Sequence, residues 1–213
     1  MLRGARLALA PLAFALIVAG CGSNKPAAAG SPPATTGTAG SGLHGLVPQP
    51  LPQKPSFTLT DTLGHPYNLR SQTAGKLTYL YFGYTHCPDV CPTTMSDLAT
   101  AIRSQPPAVR HRIQVVFVTV DPQRDTRTVL RRFLGNFSRT FVGLTGSPRQ
   151  LHMAEVAAGL PATPIPTGRH GNYAVAHSSF LLPYSPDNQA HVVYTQGFHA
   201  PDYFHDMPLL LRY

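Results

Sequence analysis

The sequence predicts an α/β domain: a mixed central sheet flanked by helices, closed by a β-hairpin and a last helix. Three observations carry this. Residues 77–83 read Leu-Thr-Tyr-Leu-Tyr-Phe-Gly, an almost unbroken apolar run of the kind a strand buried on both faces requires. Residues 113–120 form a second such run. Helix-period segments follow each run, with Met95, Leu98, Ala99 and Ile102 in one and Val129, Leu130, Phe133, Leu134 and Phe137 in the other.

The remaining elements fall in order around this core. Phe57-Thr58-Leu59-Thr60 alternates as a short strand, residues 61–64 turn, and residues 66–69 return. A loop carrying two cysteines follows residue 83, and Pro92 suits the first turn of the helix after it. The second buried run ends at Asp121-Pro122, and Asp125 reads as the cap of the next helix. Phe141-Val142-Gly143-Leu144 is a third core strand, and Ser147-Pro148 opens a helix to about Ala158 as N-cap and N1 proline. Residues 161–172 are rich in Pro, Gly and Thr and read as a loop. Residues 179–182 and 191–195 are the two arms of the hairpin, and residues 203–211 the last helix, with Pro208 against it. Strand-helix-strand-helix followed by hairpin and helix is the order of a thioredoxin-like fold. Its reactive site sits where the first core strand meets the next helix, which is where the two cysteines lie.

The N-terminus divides off from this domain. Residues 1–20 read as an export signal: Arg3 and Arg6 precede an apolar stretch broken by Pro11, too short for a membrane-spanning helix. It ends in Val18-Ala19-Gly20-Cys21, which resembles a bacterial lipobox and implies cleavage before Cys21 and lipidation there. Residues 21–53 are a tether rich in Ala, Gly, Pro, Ser and Thr, with too little apolar surface to offset the entropy of ordering. Residues 54–213 form one domain large enough for a substantial core. The expected location is the extracytoplasmic face of a cell membrane, held by the lipid. The net charge of +8 falls to about +6 once Arg3 and Arg6 leave. Its arginines are scattered, which fits a solvated surface near anionic lipid and not a nucleic-acid interface.

Cys87 and Cys91 stand in Tyr-Thr-His-Cys-Pro-Asp-Val-Cys-Pro, residues 84–92. Two soft sulfurs at this spacing support two chemistries: a dithiol–disulfide cycle, or chelation of a soft metal ion. A purely structural disulfide is disfavoured, because it would close a very short loop and stabilise little. The helix dipole lowers a thiol pKa near a helix N-terminus; Cys91, beside Pro92, is expected to feel it most, with Cys87 further out. Three intervening residues, one more than in the usual redox pair, give two thiolates room to hold one ion. Cu(I) is soft and accepts few ligands. Zinc would want four, and no second cysteine pair is available. A third ligand must come from elsewhere, and His177 is the leading candidate among ten histidines, just before a strand expected beside the cysteine loop. Spacing alone leaves a structural role for it open.

Three segments in order make the chain resemble the Sco/SenC family of membrane-tethered copper proteins: residues 81–92, residues 118–126 (Val-Thr-Val-Asp-Pro-Gln-Arg-Asp-Thr) and Val175-Ala176-His177-Ser178. The resemblance covers essentially the whole folded part. It implies a thioredoxin fold and copper, Cu(I) or also Cu(II), held by Cys87, Cys91 and His177. It implies a metallochaperone, a binding protein and not an enzyme, that helps assemble the binuclear copper centre of cytochrome c oxidase. Its partner would be the copper-bearing subunit of that oxidase. The alternative is an exported thiol–disulfide oxidoreductase in which Cys87 and Cys91 are the catalytic redox pair reducing cysteines of a partner. A peroxidase reading rests only on a faint likeness of residues 90–94 to a peroxiredoxin loop. Asp121, at a strand's C-terminal end, is a candidate for orienting His177 or tuning the thiolates. Asp89 can face a partner, His86 is a weak fourth-ligand candidate, and His199 and His205 read as surface residues.

Overall fold

The computed structural model describes residues 42–164 and 173–213. The export signal, Cys21, the tether as far as residue 41 and part of the expected loop, residues 165–172, lie outside the described residues. Among the described residues no helix is long and apolar enough to cross a membrane.

The strands are β1 (Thr58–Asp61), β2 (Pro66–Asn68), β3 (Leu77–Gly83), β4 (Ile113–Thr119), β5 (Val142–Thr145) and β6 (Leu181–Tyr184). The helices are α1 (Leu69–Gln72), α2 (Val90–Ser104), α3 (Pro107–Arg110), α4 (Arg127–Gly135), α5 (Pro148–Ala157) and α6 (Ala200–Leu210). The sheet runs β2-β1-β5-β4-β3-β6, parallel where β5, β4 and β3 meet and antiparallel at β1–β2, β1–β5 and β3–β6. Every residue of β3 is buried, as its apolar run requires. The crossovers β3–α2–β4 and β4–α4–β5 step the same way across the sheet, so their right-handedness puts α2 and α4 on one face. There the Tyr81 and Phe117 rings lie 5.9 Å apart, and Phe117 meets Phe133 of α4 at 5.6 Å. The register pairs Gly83 with Thr119. The loops after β3 and β4 therefore emerge side by side at the C-terminal edge.

Three expectations need correction. First, residues 42–53, read as tether, belong to the domain: Leu46 bridges Val193, Gln53 bridges Gln189, and Leu43, Leu46 and Val47 pack against the core. Second, the hairpin is reduced to one bridge between Leu181 and Tyr194. Its return arm is shared, because Val193 exchanges both backbone hydrogen bonds with Leu46 of the incoming segment, and just before it Asn188 and Ala190 bond to Lys54 and Pro52. Third, Asp125 is not the cap of α4; Thr126 is, accepting from the Val129 N–H at 3.3 Å. The expected last helix holds, and α6 runs through Pro208. The proline leaves the Phe204 carbonyl without its helical partner, and Gln105 Nε2 donates to it at 2.6 Å. The expectation at Ser147 holds, with a full capping box to Gln150.

Candidate metal centre

Three side chains from two parts of the chain converge at the top of β3. Cys91 is the second residue of α2 and is fully buried, while Cys87, in the loop, is half-buried. His177 comes from the segment leading into β6, the strand beside β3. One donor atom each from Cys87, Cys91 and His177 lie within 4.8 Å of one another, and Cys91 Sγ is 3.6 Å from His177 Nε2. Donors around one ion with bonds of roughly 2.0–2.3 Å stand about 3.5–4 Å apart. The sulfur–nitrogen pair is already at that spacing.

Each donor is aimed by its surroundings. His177 Nδ1 lies 2.9 Å from the Ser178 carbonyl. A carbonyl only accepts, so Nδ1 carries the proton and Nε2 presents its lone pair to the sulfurs. The rings of Tyr84 and Tyr81 hold the imidazole edge-on, at 5.4 and 6.3 Å. Beneath Cys91 the packing is tight: a Cβ at Gly83 would lie 2.9 Å from the Cys91 sulfur and 2.8 Å from Tyr81. The Tyr81 hydroxyl donates to Cys91 Sγ at 3.8 Å.

The helix dipole acts on the other sulfur from the one expected. The Cys91 backbone N–H, in the first turn of α2, donates to Cys87 Sγ at 3.4 Å. Cys91's own side chain points into the core, and burial pushes its thiol well above the usual range despite help from the Tyr84 backbone. Position in the first turn decides where the backbone is; the side-chain direction decides what the sulfur feels.

Asp125 is the residue that sequence reasoning undervalued. Fully buried, it accepts from the Thr85 N–H (2.9 Å), the Thr85 hydroxyl (2.6 Å) and the Thr119 hydroxyl (2.7 Å). It thus ties the start of the cysteine loop to the end of β4. His86 turns toward Asp125, 3.7 Å away, and is not among the converging donors. Asp121 is also buried, yet its hydrogen bonds go elsewhere: to the Tyr173 hydroxyl at 2.8 Å and to Arg124. It does not reach His177, whose outer nitrogen is already taken. Asp121 instead holds Arg124, which stacks on Tyr173 (3.6 Å) and lies over Tyr84 (5.7 Å), the ring against His177.

Fold and site together define a thioredoxin-like protein with two sulfurs and an imidazole gathered at the redox-site position. A family model described as SCO1/SenC matches residues 48–210, and the chain belongs to that family. A Stutzerimonas stutzeri protein named as a candidate copper-binding protein is 38% identical over 133 residues, 62% of this chain and 64% of that protein. The chain spans less than two thirds of the length of the curated relatives it matches. The solution structure of apo Sco1 from Thermus thermophilus is 32% identical with a TM-score of 0.64, covering 79% of this chain and 93% of that one. The crystal structure of Arabidopsis thaliana ScoI with copper bound is 27% identical with a TM-score of 0.64, covering 74% and 98%.

Proposed function

We propose that this chain is a membrane-tethered copper metallochaperone that takes up Cu(I) through Cys87, Cys91 and His177 and supports assembly of the copper centre of cytochrome c oxidase. The observation that carries the reading is the convergence of two sulfurs and a pre-aimed Nε2 within 4.8 Å. The soft donor set favours Cu(I) over harder ions. Cys87 is the more accessible sulfur, so copper enters and leaves past it, while Cys91 and His177 form the fixed wall. Uptake displaces the proton of the Cys91 thiol. Membership of the SCO1/SenC family supports the oxidase subunit as recipient. The tether and lipid at Cys21 would keep the domain at the extracytoplasmic membrane surface.

The test is a Cu(I) titration of the reduced protein against a competing chelator, for wild type and His177→Ala. One tightly held ion, weakened by the substitution, supports the reading; equal affinity in the two proteins removes His177 from the site.

A second reading rests on the asymmetry of the sulfurs. Accessible Cys87 receives a helix N–H, as an attacking thiolate would, and buried Cys91 is placed to resolve the mixed disulfide. The dithiol would then be oxidised and a partner disulfide reduced. A reduction rate toward a disulfide partner that His177→Ala leaves unchanged, with no competitive copper uptake, would favour this reading.

A further inference from the structure

Residues 173–180 bring His177 to the sulfurs, yet they belong to no helix or strand. A ligand on such a segment keeps its place only where side chains fasten it, because unfastened backbone retains its conformational freedom. Val175 is buried in the core and secures the segment just before His177. Tyr173 is fastened differently, by polar contacts to the turn after β4.

Three contacts close a triangle there. The Tyr173 hydroxyl donates to Asp121 Oδ1 at 2.8 Å. Arg124 Nε donates to Asp121 Oδ2. The Arg124 guanidinium lies over the Tyr173 ring, 3.6 Å from its centroid, well within cation–π range. Asp121 is fully buried, and its backbone N–H donates to the Thr119 hydroxyl at 3.0 Å. That same hydroxyl donates to Asp125, whose N–H donates to the Asp121 carbonyl at 2.9 Å. One turn thus presents two buried carboxylates. Asp125 holds Thr85, at the start of the cysteine loop, and Asp121 holds Tyr173, ahead of His177.

The triangle is a poor device for stability alone. Desolvating a carboxylate and a guanidinium offsets much of their attraction. Arg124 Nη2 is buried and, among the described residues, has no hydrogen-bond partner, which adds to the cost. What the arrangement supplies is position: a planar guanidinium held by a fixed carboxylate locates the ring stacked on it.

We propose that Tyr173, Arg124 and Asp121 are positioning residues for His177. They clamp its segment to the turn that also holds the cysteine loop, and so set how fully the imidazole shares in binding Cu(I). The inference rests on the reading of His177 as a copper ligand. With the clamp broken, Nε2 spends less time at the sulfurs, and Cys87 and Cys91 hold the ion alone for the remainder, which Cu(I) accepts. The loss in affinity is therefore bounded by that of His177→Ala.

The test is Cu(I) competition on the reduced full chain carrying Cys21→Ser, so that only Cys87 and Cys91 supply thiolate. Tyr173→Phe keeps the ring over Arg124 and loses the bond to Asp121; Tyr173→Leu loses both. Tyr173 is only half-buried, and thermal unfolding of the metal-free variants checks that the fold persists. Affinity should fall about two- to tenfold in Tyr173→Phe and further in Tyr173→Leu, neither beyond His177→Ala. In the His177→Ala background Tyr173→Leu should cost nothing more, because the clamp acts through the histidine. X-ray absorption of copper-loaded Tyr173→Leu should show both sulfurs retained and the imidazole contribution reduced. Wild-type affinity in Tyr173→Leu beside a weakened His177→Ala would overturn the clamp and leave His177 a ligand. An equal loss with and without His177 would also overturn it, since the clamp would then act elsewhere. Wild-type affinity in His177→Ala would remove the ligand reading itself, and the clamp with it.

Discussion

Replacing Asp125 by asparagine should loosen the cysteine loop while leaving every partner in place. The amide oxygen can keep the Thr85 N–H and the Thr119 hydroxyl, and the amide nitrogen can donate to the Thr85 hydroxyl, which also accepts. What is lost is the charge. Hydrogen bonds to a charged group contribute about 1.5–3 kcal/mol and neutral ones about 0.5–1.5. Discounting for their sharing one carboxylate, the three together should cost about 2 kcal/mol. For a domain of this size that is a drop in Tm of roughly 4–8 °C. If the whole loss falls on the loop, copper binding must restore it, and Cu(I) affinity falls by up to about 30-fold. The assay is thermal unfolding of the metal-free protein together with Cu(I) competition. Thr126→Ala is the contrast: loss of the α4 cap should cost about 1 kcal/mol and leave copper affinity alone. Equal copper affinity in wild type and Asp125→Asn, or equal losses in the two variants, would refute the view that Asp125 holds the site and Thr126 only the helix.

Gly83→Ala forces a Cβ against the Cys91 sulfur and Tyr81; the overpacking should cost about 1–3 kcal/mol and weaken Cu(I) binding, and a variant as stable and copper-tight as wild type would contradict the packing described. Because burial raises the Cys91 thiol, its proton must leave at any pH below that raised value. Cu(I) affinity should therefore climb about tenfold per pH unit for that proton between pH 6 and 8, and a flat profile would count against it. Lys54 is buried against Thr73 and Thr78, and desolvation lowers its pKa from 10.5 to about 8. The unfolded chain then holds more protons than the folded one between about pH 8 and 10.5. The cost, about 3 kcal/mol, is fully present below that window and disappears as pH rises through it. Lys54→Met should thus gain most over wild type at pH 7 and progressively less toward pH 10.5 in denaturant unfolding; a gap independent of pH would show that burial does not neutralise this lysine.

Much of the architecture was legible because it rests on local pattern. The apolar run of β3, the Ser147 capping box and the cysteine loop each announce themselves within a few residues. The departures arise where distant chain decides. Nothing near Pro208 shows that Gln105 will satisfy the freed carbonyl, and nothing near residues 191–195 shows that the segment around Leu46 will claim their backbone. Asp125 followed by Thr126 offers two cap candidates. Only the register of β3 on β4 brings Thr85 within reach of Asp125 and leaves the capping to its neighbour. Helix-dipole reasoning missed at Cys91 because sequence gives a residue's position in the turn but not the direction of its side chain.

The most direct measurement of the central claim is X-ray absorption at the copper edge of the reduced protein carrying one equivalent of Cu(I). The account predicts a first shell of two sulfurs and one imidazole nitrogen, with the nitrogen lost in His177→Ala. A shell of sulfur alone in wild type, or of nitrogen and oxygen without sulfur, would contradict it.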